Sequence, residues 1–140
     1  MSVPDEVRRV VEIRASRERV WSALTEPGEL LHWFPTERAD IDLRPGGAAS
    51  FVWEESEDEA IVDVVEPPHR LVFRWRPAGL DRPYTTVSFT LEDAHDRTQL
   101  TLVESGFASL PDQIREWSQR ENDAGWRDEL EELKAYLEAA

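Results

Sequence analysis

One long amphipathic helix near the end of the chain has to serve a whole meander of strands. Trp126, Leu130, Leu133 and Leu137 stand at i, i+4, i+7 and i+11 and form one apolar stripe. Ahead of them, period-two alternation predicts strands at 38–43, 48–55, 59–66, 69–75, 84–92 and 98–105. The connections between them are short and polar, with Pro45-Gly46-Gly47 and Pro67-Pro68 as the strongest turn signals, so successive strands pair antiparallel. A first strand over 6–15 puts Val7, Arg9, Val11 and Ile13 on one face. Ser16 suits the N-cap of a short helix with Val20, Trp21 and Leu24 inward, and "ELLHWF" reads as a second short helix ending before Pro35. The order is strand, two short helices, six strands, long helix. Such a sheet has one apolar face and a single helix able to cover it, so it must curl around that helix. Gly125 weakens that helix by about 1 kcal/mol relative to alanine and marks 122–125 as a place for a bend.

Length and composition narrow the function. The 140 residues fit one domain, 1–140, with a core large enough to stand without disulfides, and there is no cysteine to form one. Thiol catalysis and thiolate metal sites are excluded with it. The formal charge of −14 repels phosphate backbones and anionic lipid headgroups, which argues against nucleic acid and membrane surfaces as partners. No apolar run has the length of a signal peptide or a membrane span, so a soluble cytoplasmic protein is the expectation.

Aromatic residues dominate the candidate site. One helix fills a curved sheet only if large side chains reach across, and the chain has six tryptophans and five phenylalanines to do so. Phe51 and Trp53 share a strand face, as do Phe73 and Trp75; Phe89 faces inward on the next strand. Trp33 and Phe34 belong to the second short helix, and Trp126 begins the stripe of the long one. These rings serve equally to pack a solid core or to line a hollow. Glu104 continues the inward register of Thr98, Leu100 and Leu102, where a carboxylate needs a partner or takes up a proton. Arg9, in register with Val11 and Ile13, is the candidate ion-pair partner; the alternative places both near strand ends in water. His32, His69 and His95 lack ligand spacing, no Gly-x-Ser-x-Gly elbow occurs, and no metal or cofactor is called for. The acidic stretch "EESEDE" (54–59) reads as a solvated hairpin tip.

Four pieces, "VVEIRASRERVWSALTEPGELLHWF", "VVEPPHRLVFRW", "LTLVESGF" and "GWRDELEELKAYL", together resemble the family named after the activator of the heat-shock protein 90 ATPase. That family belongs to the START-like, polyketide-cyclase-related (SRPBCC) superfamily. The resemblance spans roughly residues 6 to 138, in the right order, and implies an α+β helix-grip fold. In that fold a curved seven-stranded antiparallel sheet wraps a long C-terminal helix, two short helices follow the first strand, and a cavity lies between sheet and helix. It further implies an apolar or aromatic ligand of lipid, sterol or polyketide type. The expected ligand-binding residues are Trp33, Phe34, Phe51, Trp53, Phe73, Trp75, Phe89, Glu104 and Trp126. Binding rather than catalysis is the expectation, in a monomer or weak homodimer. Two alternatives stay open: a module that regulates a chaperone, and a cyclase or hydrolase using Glu104 as base.

Overall fold

The structure, a computed structural model, describes residues 5–34, 37–78 and 82–139. Strand β1 (Glu6–Ile13) leads into helices α1 (Arg17–Thr25) and α2 (Pro27–Leu30). Strands β2 (Arg38–Ile41), β3 (Ala48–Val52), β4 (Glu57–Glu66), β5 (Arg70–Pro77), β6 (Thr85–Ala94) and β7 (Arg97–Ser105) follow. A 3₁₀ turn (Phe107–Ser109) then opens into the long helix α3 (Asp112–Glu138). The seven strands form one antiparallel sheet in the order β1-β7-β6-β5-β4-β3-β2, so the first strand closes the meander beside the last.

Alternation does place one face inward. Phe51, Val62, Leu71, Phe73, Val87, Phe89, Leu100 and Leu102 are buried there, and the α3 stripe of Trp126, Leu130, Leu133 and Leu137 meets them. Thr86, Ser88 and Thr90 take the other side of β6 and are half-buried. The register of β1 on β7 sets Val7 opposite Glu104 and Arg9 opposite Leu102. Near the β2–β3 turn, Gly46 has φ of 85°, and a Cβ at Gly47 would lie 2.0 Å from the Asp42 carbonyl oxygen. That contact explains the second glycine of the pair. Polar ties along the sheet edge hold α3 beside β1. Arg9 Nε pairs with Asp123 at 2.8 Å, and Lys134 Nζ donates to the Glu12 carbonyl at 2.6 Å.

Several boundaries differ from the sequence reading. Helix α2 starts at Pro27 and ends at Leu30, so Trp33 and Phe34 lie in the turn after it. The α3 helix runs through 122–125 without interruption. Strand β4 starts at Glu57, which moves Asp58 out of the hairpin tip and into the sheet opposite Phe51 and Pro77. The 3₁₀ turn, with Phe107 fully buried, has no clear periodic signal in the sequence.

Leu133 on α3 is 0% exposed and Trp117, on the same helix, is 59% exposed. Leu133→Ala is expected to cost about 3 kcal/mol in urea unfolding, and Trp117→Ala less than about 0.5 kcal/mol. Equal costs for the two would contradict this placement of α3.

Candidate functional site

Glu104 is 0% exposed, near the C-terminal end of β7, and its carboxylate accepts hydrogen bonds from four side chains. Trp75 Nε1 on β5 donates to Oε2 at 2.9 Å, and Thr85 Oγ1 on β6 donates to the same oxygen at 2.5 Å. From α3, Trp126 Nε1 donates to Oε1 at 2.9 Å, and Asn122 Nδ2 reaches Oε2 at 3.0 Å and Oε1 at 3.1 Å. The inward register of β7 points Glu104 at the helix. Asn122 and Trp126, four apart, share the helix face that meets it. Neutral donors thus satisfy both oxygens.

Arg9 is not the partner. Its guanidinium goes to Asp123, because β1 lies at the edge of the sheet and its long side chain reaches the flank of α3 more readily than the interior. The alternative with Glu104 in water is also overturned by its burial. Arg82, just ahead of β6, interacts electrostatically with Glu104 and Asp58, and burial lowers its pKa. Its Nη1 atom is buried without a hydrogen-bond partner.

The rings are arranged around this carboxylate. Trp75 and Trp126 stack with centroids 5.1 Å apart at 20°, and Phe34 stacks on Trp126 at 5.6 Å. Trp53 meets Phe34 edge-on at 5.1 Å. Deeper inside, Phe51, Phe73 and Phe89 form a chain of ring contacts 6.0 Å apart. Trp33 donates its indole N–H to the Ala23 carbonyl at 2.8 Å, the bond a buried tryptophan requires. The enclosed interior is filled: the void among Trp33, Phe34, Phe51, Phe73 and Phe89 amounts to only about 10 Å³.

Open space lies instead at the mouth. A cleft of about 140 Å³ runs between the sheet and α3, lined by Phe34, Trp53, Asp58, Trp75, Glu121, Asn122, Gly125, Trp126 and Glu129. An adjoining hollow of about 290 Å³ shares Phe34, Trp53 and Glu129 with it and extends over Leu31, His32, Trp33 and Glu132. Of the nine candidate residues, Phe34, Trp53, Trp75 and Trp126 line the cleft and Glu104 bonds two of them from below. Trp33, Phe51, Phe73 and Phe89 belong to the filled interior; Trp33 also borders the adjoining hollow. Gly125 borders the cleft, and a Cβ there would meet nothing within 4 Å.

Asp58, Asn122, Gly125 and Glu129 escaped sequence reasoning as site residues. The i, i+4 pairing of Asn122 with Trp126 was a readable signal; the burial of Asp58 was not, since it depends on where β4 begins. Burial raises the Asp58 carboxyl to about 6, with Glu104 adding to the shift and Arg82 opposing it. Burial likewise raises Glu129 to about 7, reinforced by Glu132 and Asp128. Among the described residues no group of three or more His, Cys, Asp or Glu side chains is placed to hold a metal ion. Among them, too, no helix is long and apolar enough to cross a membrane.

The chain matches the sequence profile of a family described as Activator of Hsp90 ATPase homolog 1-like protein over residues 14–138. No curated protein matches it in sequence. Among solved structures it is similar to DynU16, a protein of the dynemicin biosynthetic locus, with 30% identity and a TM-score of 0.84. That match covers 97% of this chain and 48% of the other, so the chain spans about half of DynU16. CalU16 from Micromonospora echinospora is 26% identical, with a TM-score of 0.74 over 94% of this chain and 75% of that one. Protein MLL2253 from Mesorhizobium loti is 28% identical, with a TM-score of 0.80, covering 95% and 98%. The sheet and its long helix are the helix-grip fold of these neighbours.

Two outcomes test this geometry. Glu104→Gln puts an amide NH₂ among four donors and is expected to destabilise the fold by about 2–4 kcal/mol in urea unfolding. A cost below about 0.5 kcal/mol would contradict the network. Asp58 has a folded pKa above its unfolded one, so it favours the fold at acid pH and that contribution is lost as pH rises through about 6. Asp58→Asn is therefore expected to be stabilising by about 1–2 kcal/mol at pH 8 and neutral near pH 3. The reverse pH dependence, read from thermal melts, would refute the assignment.

Proposed function

The chain belongs to the Activator of Hsp90 ATPase homolog 1-like family, and from that membership we propose that it binds an apolar or aromatic small molecule in the cleft between sheet and α3. The observation that carries the reading is the cleft itself, walled by Phe34, Trp53, Trp75 and Trp126 and bordered by Gly125. Rigid rings offer contact area at low entropic cost. A glycine in mid-helix costs about 1 kcal/mol relative to alanine. With no protein atom to demand it, the vacancy above Gly125 is the kind of cost a binding site retains.

Size limits the guest. Ligand pockets usually hold roughly 300–1,000 Å³, so the cleft of about 140 Å³ takes a ring or two. A larger lipid-, sterol- or polyketide-like molecule extends into the adjoining hollow over Leu31 and His32. The likeness to a protein of a biosynthetic locus supports a small-molecule role. The part assigned to Glu104 is to fix the two indoles that form the wall. It is spent on four donors and has no free lone pair facing a substrate, which favours binding over acid–base catalysis. The alternative of a chaperone partner is supported by the family description and the net charge of −14, neither of which specifies a docking surface.

Tryptophan emission, titrated with fatty acids, sterols, flavonoids and polyketide-like aromatics, is expected to shift with at least one class. Gly125→Phe fills the cleft and is expected to abolish that response while the far-UV circular dichroism is unchanged. A response that survives Gly125→Phe would remove the ligand from this cleft.

A further inference from the structure

The cleft has a one-sided charge. Among the described residues three carboxyl groups line it, Asp58 from β4 and Glu121 and Glu129 from α3, and no basic side chain does. The Glu104 carboxyl group lies beneath the floor, hydrogen-bonded by neutral side chains. Against these stands Arg82, which interacts with Glu104 and Asp58 from outside the lining. An apolar guest without charge would strip water from the acids and give them nothing in return. An anionic guest would add a like charge.

The rings point the same way. Aromatic faces attract cations, indole most strongly. Trp75 and Trp126 both donate their N–H groups to the Glu104 carboxylate. An anion accepting from an indole N–H polarises electron density into the ring and strengthens its pull on a cation. Phe34 and Trp53, edge to face at 5.1 Å, supply the remaining aromatic wall. Rings on several sides with carboxylates at the rim form the arrangement that holds quaternary ammonium groups.

We infer that, granted the small-molecule reading above, the cleft selects organic cations: a quaternary or protonated amine carried on an apolar or aromatic frame. The frame lies against the indoles, and the charged head sits between them and the acids of β4 and α3. Binding then depends on the ionisation of those acids. Asp58 faces Glu104 of β7, Arg82 ahead of β6 and Glu57 of its own strand; Glu129 faces Glu132 and Asp128 along α3. A quaternary ammonium is charged at every pH, so a rise in its affinity between pH 5 and pH 8 that persists in His32→Gln reports the acids of the cleft.

The test compares benzyltrimethylammonium with its uncharged carbon isostere neopentylbenzene and with the anion phenylacetate, by tryptophan fluorescence and calorimetry. The cation is expected to bind about tenfold or more tightly than the isostere, and phenylacetate more weakly than either. Glu129→Gln is expected to lower affinity for the cation by about threefold and to narrow its advantage over the isostere. Gly125→Phe is expected to abolish binding of both. Equal affinity for cation and isostere would overturn the charge selection while leaving the apolar site intact. Cation binding that persists in Gly125→Phe would reduce it to attraction by the acidic surface and overturn the inference. No response to any of the three probes, nor to the wider apolar panel, would overturn the binding reading and this inference with it.

Discussion

The Glu104 carboxylate is the constraint on which the rest of the molecule depends. It gathers donors from β5, β6 and α3 into one buried point, and so locks the long helix to the concave face of the sheet at a defined height. Hydrophobic burial pulls Trp126, Leu130, Leu133 and Leu137 onto the sheet, but that force is non-directional and tolerates sliding. Directional bonds to a single carboxylate do not. A buried charge is costly unless its hydrogen bonds are complete, and here the completion sets the positions of two indoles.

Fixing those indoles determines where the molecule is solid and where it is open. Below them, phenylalanines fill the bowl almost without residue. Above them, the rings that cannot turn away leave a cleft, with Gly125 on its helix side. The same arrangement leaves the cleft lined by acids without a lining base, and burial shows its effect in the raised Asp58 and Glu129 carboxyls. Site shape and site charge thus follow from one network.

Much of this was legible in the residues. Periodicity carries the element order, the inward faces and the inward register of Glu104, because side-chain direction in a strand is fixed by parity alone. Partners across long sequence separations were not legible. Arg9 shares parity with the core yet lies on an edge strand, and its partner Asp123 sits 114 positions away on α3. Asp58 looked like part of a solvated tip because the hairpin is tighter than composition suggests, a matter of turn geometry. Trp33 borders the adjoining hollow as its place before Pro35 suggests, but the α1 carbonyl that holds its N–H was not legible. Whether rings fill a space or border it depends on their packing against each other, which no single-residue pattern encodes.

Hydrogen exchange at the indole nitrogens tests the central claim most directly. In ¹⁵N-labelled protein, the Nε1–H protons of Trp75 and Trp126 are expected to exchange with deuterium only as fast as the whole molecule unfolds, while that of exposed Trp117 exchanges at once. Exchange of Trp75 and Trp126 as rapid as that of Trp117 would mean that no buried carboxylate holds them.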